Sequence, residues 1–332
     1  MNRPKNHTSV GTAPRALAAL SFWAILFLPA SAGAQTGSHK EARIRVQTDL
    51  VTVPASVLDS TGKPVADLPE SAFKLYQDGV EQKIAKFETQ TDRPLELALM
   101  VDSSLSTLKD TKFENEATAR FIRFVVRPGD LLGVFEFSDY VYELGDFSAN
   151  VAKLEAAAER ISPGAGTSLY DAIVLGSEQL EKLPEDRRRV IVLVTDAGET
   201  TSKSSFESAR RAAIASEGLL YTILIRPVAN ENGRNTGGEH AIDTIIDSTG
   251  GAVYYPDALT QLDAMFQQIS RELRTQYLLS YYPQPKEKAG TYCRIDLEIP
   301  SGSYTLHYRK GYFEAGPPEE EPSPNNGPDN NQ

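Results

Sequence analysis

The sequence predicts an α/β fold: an open, mostly parallel sheet covered by helices on both faces, with β-rich segments before and after it. Three observations predict it. Leu95–Val101 and Leu220–Ile225 are continuous apolar runs, the pattern of strands buried on both faces. Between about residues 94 and 274 such runs alternate with helical stripes, the order that builds a parallel sheet. Outside that stretch the apolar period drops to two.

The chain has 332 residues, room for about two domains. Its formal net charge is −11, and no basic stripe offsets it, which argues against a nucleic-acid partner. The first residues read as an export signal spanning 1–34. Arg3, Lys5 and Arg15 precede or open the apolar stretch Ala16–Leu28, and Ala32-Gly33-Ala34 offers a small-x-small cleavage site. That stretch is shorter than the roughly 20 residues of a membrane span, so no span is expected once the signal is cut. An uncleaved anchor is the rival reading. Cleavage near Gln35 removes three positive charges and leaves the mature chain more acidic still. The expected location is exported: periplasmic, cell-surface or secreted.

Taken in order, residues 41–90 read as β-rich. Val51, Val53, Ala55 and Val57 alternate with polar residues or proline, and Asp78-Gly79 joins two short strands as a hairpin turn. Residues 94–274 then carry the α/β pattern. Phe113, Ala117, Phe121 and Phe124 define one helical face. Leu132–Phe137 is a strand, and Val141–Phe147 is expected to pair with it. Leu169, Ile173, Gly176 and Leu180 mark a second helix, Val190–Thr195 a strand, and Phe206–Ser216 a further helix. Ile242, Ile245 and Ile246 give a short helix ended by Gly250-Gly251, Ala252–Tyr255 a short strand, and Leu262, Phe266, Ile269 and Leu273 the last stripe. Residues 276–313 return to strands at Tyr277–Tyr282, Tyr292–Ile299 and Tyr304–Arg309. Neither β segment has strands enough to stand alone, so the two are expected to fold together as one unit. Residues 316–332 hold prolines, acids and asparagines and read as a disordered tail. Cys293, the only cysteine, alternates with polar residues beside Ile295, Leu297 and Ile299, which places it as a small buried thiol on a strand.

Three distant stretches look like one metal site. Asp102-Ser103-Ser104-Leu105-Ser106 follows the first buried strand, Thr167 follows Gly164-Ala165-Gly166, and Asp196 follows Val190–Thr195. In an open parallel sheet, ligands bind outside the carboxyl ends of the strands. Asp102 and Asp196 occupy such ends, Ser104 and Ser106 alternate in the loop, and the glycines before Thr167 permit unusual backbone angles. Two carboxylates and three hydroxyls make an all-oxygen set suited to a hard cation that keeps waters and an open position. Each piece alone is accounted for by a helix cap or a turn; their joint occurrence at strand ends is what points to an ion.

The pattern Asp102-x-Ser104-x-Ser106, Thr167 in Gly-Thr-Ser-Leu-Tyr-Asp-Ala, and Asp196 in Thr-Asp resembles the metal-ion-dependent adhesion site (MIDAS) of von Willebrand factor type A domains. The resemblance covers about residues 94–274. The whole layout is similar to secreted bacterial VWFA-related proteins of Acidobacteria, through the stretch Ser71-Ala72-Phe73 to Asp78-Gly79 before the domain and Gln276–Tyr282 and Arg309–Phe313 after it. It implies a Rossmann-like, doubly wound sheet and Mg²⁺ or Mn²⁺ held by Asp102, Ser104, Ser106, Thr167 and Asp196. Two departures stand out. Ala197 follows Thr195-Asp196 where glycine is usual, and Ser103 and Leu105 stand where Val and Gly are frequent. Neither removes an oxygen.

The expected function is therefore an exported binding or adhesion module, not an enzyme, whose cation captures a carboxylate on a protein partner. Two alternatives remain: a structural or envelope-assembly module with a weak or vestigial metal site, and a metal-dependent hydrolase. The hydrolase reading has little behind it, because the sequence shows no Gly-x-Ser-x-Gly elbow, no phosphate loop and no visible base.

Overall fold

The computed structural model describes residues 50–89, 93–104, 111–184, 187–225 and 235–314, all within one unit, Thr48–Gln332. The chain begins with β1 (Val51–Leu58), β2 (Lys74–Gln77), β3 (Val80–Gln82) and β4 (Ile84–Glu88). The central region follows as β5 (Leu95–Asp102), α1 (Thr111–Val125), β6 (Leu131–Phe137), β7 (Val141–Ser148), α2 (Val151–Ala158), α3 (Leu169–Glu181) and β8 (Arg188–Thr195). It continues with α4 (Phe206–Ala215), β9 (Leu219–Leu224), α5 (Thr236–Thr249), β10 (Gly251–Tyr254) and α6 (Leu262–Arg274). The chain then returns to strands: β11 (Tyr277–Tyr281), β12 (Tyr292–Glu298), β13 (Thr305–Tyr308) and β14 (Gly311–Phe313).

The central sheet has the order β10-β9-β8-β5-β6-β7; every neighbouring pair is parallel except β6 and β7. It is an α/β, Rossmann-like sheet. Successive side chains of a strand point to opposite faces, and the two cores divide accordingly. Leu97, Leu99 and Val101 of β5 pack with α1, α2 and α6, whereas Ala98 and Met100 pack with α3, Leu193 and Ile242. Burial on both faces explains the unbroken apolar runs. One stripe differs from expectation. Ala117 and Phe121 are buried in α1, but Phe124 is 52% exposed, and Ile122 and Val125 complete the inward face instead. Apolar spacing alone does not choose between two adjacent helical faces when both carry phenylalanine.

The remaining strands form two antiparallel four-stranded sheets, β13-β1-β11-β4 and β14-β12-β2-β3. Strands from the two ends of the chain interleave: β11 lies between β1 and β4, and β12 pairs with β2. Their shared core contains Val53, Ala55, Leu75, Tyr277, Leu279, Cys293 and Ile295.

The point where the chain enters and leaves the central sheet is tied by charged groups. Asp130 Oδ1 accepts the Leu95 N–H at 2.8 Å and Asp130 is paired with Arg274. Arg188 Nε donates to the Arg93 carbonyl at 3.0 Å and Nη1 to Gln276 Oε1 at 2.9 Å. At the β10 end, a Cβ placed on Gly250 would lie 1.9 Å from the Tyr308 carbonyl oxygen, so the β sheets press directly on the end of α5. The fully buried Glu272 of α6 joins the same contact, accepting from Tyr254 and bonding to His307 Nδ1 at 2.9 Å.

Candidate metal centre

The chain reverses its direction of sheet growth at β5. β6 lies on one side and β8 on the other, so a crevice opens above the carboxyl ends of β5 and β8. Asp102 is the last residue of β5 and Asp196 directly follows β8. Asp102, Ser104, Thr167 and Asp196 are all buried. Ser106 lies outside the described residues.

Asp102 is held on both oxygens. Its Oδ1 accepts the Ser104 N–H at 2.9 Å, and its Oδ2 accepts the Thr195 hydroxyl at 2.6 Å. Burial and the nearby Asp196 charge push its carboxyl up to about 6, and these bonds only partly oppose the rise. Two buried acids facing one crevice repel each other until a cation or a proton arrives.

Ser104 is placed by a short bridge to Gly164, whose N–H donates to the Ser103 carbonyl at 2.9 Å. This bridge ties the loop after β5 to the loop carrying Thr167. Asp196 Oδ1 accepts the Gly198 N–H at 2.8 Å. A Cβ on Gly198 would sit 3.0 Å from Asp196 Oδ1 and 3.1 Å from Thr167 Oγ1, so both oxygens face the same small space. The structure thus brings together four of the five oxygen-bearing residues named from sequence. Their chemistry fits a hard cation: neutral hydroxyls with two carboxylates, and no nitrogen or sulfur. Among the described residues no three His, Cys, Asp or Glu side chains cluster.

Several supporting residues were not legible in the sequence. Thr195 links the two strands: its hydroxyl donates to Asp102 and accepts the Ala197 N–H at 3.0 Å. The Thr167 loop is laced to the loop after β8, with Thr167 N–H donating to Thr200 Oγ1 at 2.9 Å and Thr200 N–H returning to the Thr167 carbonyl at 2.8 Å. The start of α3 is capped from outside. Ser168 makes no cap bond; Ser202 Oγ and Glu199 accept the Tyr170 N–H at 3.0 and 3.1 Å. Burial raises the Asp171 carboxyl, but the N–H groups of Lys203 and Ser204 outweigh it and leave it below the usual range. The signal for Glu199, Thr200 and Ser202 was present only as a run of polar residues after Asp196, ordinary for any loop.

The two glycines before Thr167 act differently from expectation. Neither has a left-handed backbone. They are needed for close approach: a Cβ on Gly164 would meet Ser138 Oγ at 2.1 Å, and one on Gly166 would meet Asp139 Oδ1 at 2.7 Å. Ala197 is the left-handed residue, with φ +63°. A methyl-bearing residue there costs about 1 kcal/mol relative to glycine.

Residues 97–199, which include Asp102, Ser104, Thr167 and Asp196, match the von Willebrand factor type A domain family. The match runs from β5 to the loop after β8. Solved structures similar to it include BatB from Bacteroides thetaiotaomicron, at 18% identity over 55% of this chain and 100% of that chain (TM-score 0.43). The PilB minor pilin from Streptococcus sanguinis is 14% identical over 56% of this chain and 62% of the pilin (TM-score 0.47). A von Willebrand factor type A protein from Catenulispora acidiphila is 11% identical over 82% and 75% of the two chains (TM-score 0.47). No curated protein matches the chain in sequence. Among the described residues, no helix is long and apolar enough to cross a membrane.

Proposed function

We propose that this protein is an exported binding module. Its type A domain, within residues 94–274, is inserted in a β framework built from residues 41–90 and 276–313. The domain holds Mg²⁺ or Mn²⁺ on Asp102, Ser104, Ser106, Thr167 and Asp196, and the ion's remaining position takes a carboxylate from a protein partner. The observation that carries the reading is the burial of Asp102 and Asp196 at one crevice, with the Asp102 carboxyl pushed up to about 6. A pair of acids placed this way favours a divalent ion. In a chain of net charge −11, the ion also reverses the local sign and lets an acidic group approach. The signal-like residues 1–34 support export.

The test is calorimetric titration of Mg²⁺ into the wild-type chain and into Asp102→Ala, Asp196→Ala and Thr167→Ala. Asp102→Ala loses the ion, Asp196→Ala is weakened next, and Thr167→Ala least, because water replaces a neutral hydroxyl. Equal affinity of wild type and Asp102→Ala removes the metal from the reading. A structural module with a vestigial site is the second reading, and the strained Ala197 favours it. Millimolar or weaker Mg²⁺ binding by the wild type selects that alternative.

A further inference from the structure

Asn235 stands at the start of α5 but does not cap its own helix. Its carbonyl accepts the Glu239 N–H at 2.9 Å, yet its side chain makes no cap bond. Asn150, at the start of α2, does what asparagine usually does there: its Oδ1 accepts the Lys153 N–H at 3.1 Å. The Asn235 amide reaches instead to the loop after β8. Its Nδ2 donates to the Asp196 carbonyl at 3.3 Å and to Asp196 Oδ1 at 3.4 Å. Both partner atoms are acceptors, and an amide nitrogen carries two hydrogens, so only the nitrogen side of the amide suits them.

The packing of α5 builds this contact. A Cβ on Gly238 would lie 1.9 Å from the Ala197 carbonyl oxygen, so glycine there lets the first turn of α5 come close to the loop. Asn235 and Gly238 thus meet Asp196 and Ala197, neighbours in that loop. Ala197 is left-handed, with φ +63°. A bond to the Asp196 carbonyl fixes the peptide group that enters this strained residue, and a bond to Oδ1 fixes the carboxylate. Asp196 Oδ1 also accepts the Gly198 N–H at 2.8 Å, so both donors take the same oxygen. Among the described residues no hydrogen bond reaches Asp196 Oδ2, which leaves that oxygen to an ion.

We infer that Asn235 is a positioning residue for the metal centre: its amide grips Asp196 by the carbonyl and Oδ1 and keeps the other carboxylate oxygen for the ion. This rests on the metal reading above. Groups that orient a metal ligand are worth about 10- to 100-fold in metal affinity. Bonds of 3.3 and 3.4 Å are long, which puts Asn235 at the lower end, roughly tenfold.

The experiment titrates Mg²⁺ by calorimetry into the full chain as wild type, Asn235→Ala, Asn235→Asp and, as a control, Asn150→Ala. Urea denaturation and amide hydrogen exchange follow each chain in chelator. Asn235→Ala should bind Mg²⁺ roughly tenfold more weakly. Its metal-free urea midpoint should stay close to that of the wild type, because no cap bond is lost, while its Gly198 N–H exchanges faster. Asn235→Asp is the sharper variant. Aspartate starts a helix as well as asparagine does, but it sets an acceptor against two acceptors, so Mg²⁺ affinity should fall at least as far as in the alanine chain. Asn150→Ala should lower the urea midpoint and leave Mg²⁺ affinity and Gly198 exchange unchanged. Wild-type affinity in either Asn235 variant overturns the inference, and the metal site still stands if Asp102→Ala has lost the ion. An equal loss of affinity in Asn150→Ala also overturns it, since affinity would then follow overall stability. Failure of the wild type itself to bind Mg²⁺ defeats the metal reading and the role of Asn235 with it.

Discussion

Asp102→Asn in metal-free protein should stabilise the fold, and by an amount that depends on pH. Asparagine imitates the protonated acid. Its Oδ1 can accept the Ser104 N–H and its Nδ2 can donate to Thr195 Oγ1, the groups that hold Asp102 now. Burial, with the neighbouring Asp196 charge, pushes Asp102 from 3.8 up to about 6 in the folded chain. A raised folded value means that the native state holds the proton more tightly than the unfolded chain does. The stability that Asp102 contributes is therefore full below about pH 4 and is lost as pH rises through about 6. A shift of roughly two units corresponds to about 3 kcal/mol. Asparagine does not titrate, so the gap between variant and wild type should open over this range and reach about 3 kcal/mol near pH 7.5. Urea denaturation in chelator, from about pH 4.5 to about pH 7.5, measures it. Saturating Mg²⁺ should then reverse the order, because ion binding stabilises only the chain that keeps the carboxylate. A gap constant to within about 0.5 kcal/mol across the series would refute the reasoning, since it would mean that burial does not set the Asp102 proton affinity.

Thr195→Val keeps the shape but removes a hydroxyl that donates to one buried group and accepts from another; it should cost about 1–3 kcal/mol in urea denaturation and weaken Mg²⁺ binding. An unchanged denaturation midpoint would show that Thr195 is not the link between the two strands. Gly238→Ala would place a Cβ 1.9 Å from the Ala197 carbonyl oxygen, so the loop after Asp196 must shift. We expect a destabilisation of about 1–3 kcal/mol with a loss of Mg²⁺ affinity, and wild-type values for both would contradict the packing of α5 on that loop. Gly250→Ala combines φ +86° with a contact 1.9 Å from the Tyr308 carbonyl oxygen. Its damage should appear as easier proteolysis between the β sheets and the central sheet, with Mg²⁺ affinity retained; equal protease resistance would count against a tight junction there.

The α/β class and most strand positions were readable because burial on both faces leaves an unbroken apolar run and a helical face leaves its own spacing, as at Leu95–Val101 and at Leu262, Phe266, Ile269 and Leu273. The places of Asp102 and Asp196 at strand ends were readable as well, since each follows an apolar run whose end is visible locally. What the sequence could not decide was distance. Phe124 shares the spacing of the buried α1 face, yet it points to solvent because the crossing of α1 over the sheet selects Ile122 and Val125. Thr195 reads as one more β-branched strand residue, and only the pairing of β5 with β8 turns its hydroxyl toward Asp102. Glu199 and Ser202 cap a helix that begins some thirty residues earlier, and Gly164 and Gly166 are small because of neighbours and not because of their own backbone. Local periodicity records which face of an element is dry. It carries no record of which other element supplies the partner atom, and hydrogen bonds and close contacts depend on that partner at a scale of tenths of an ångström.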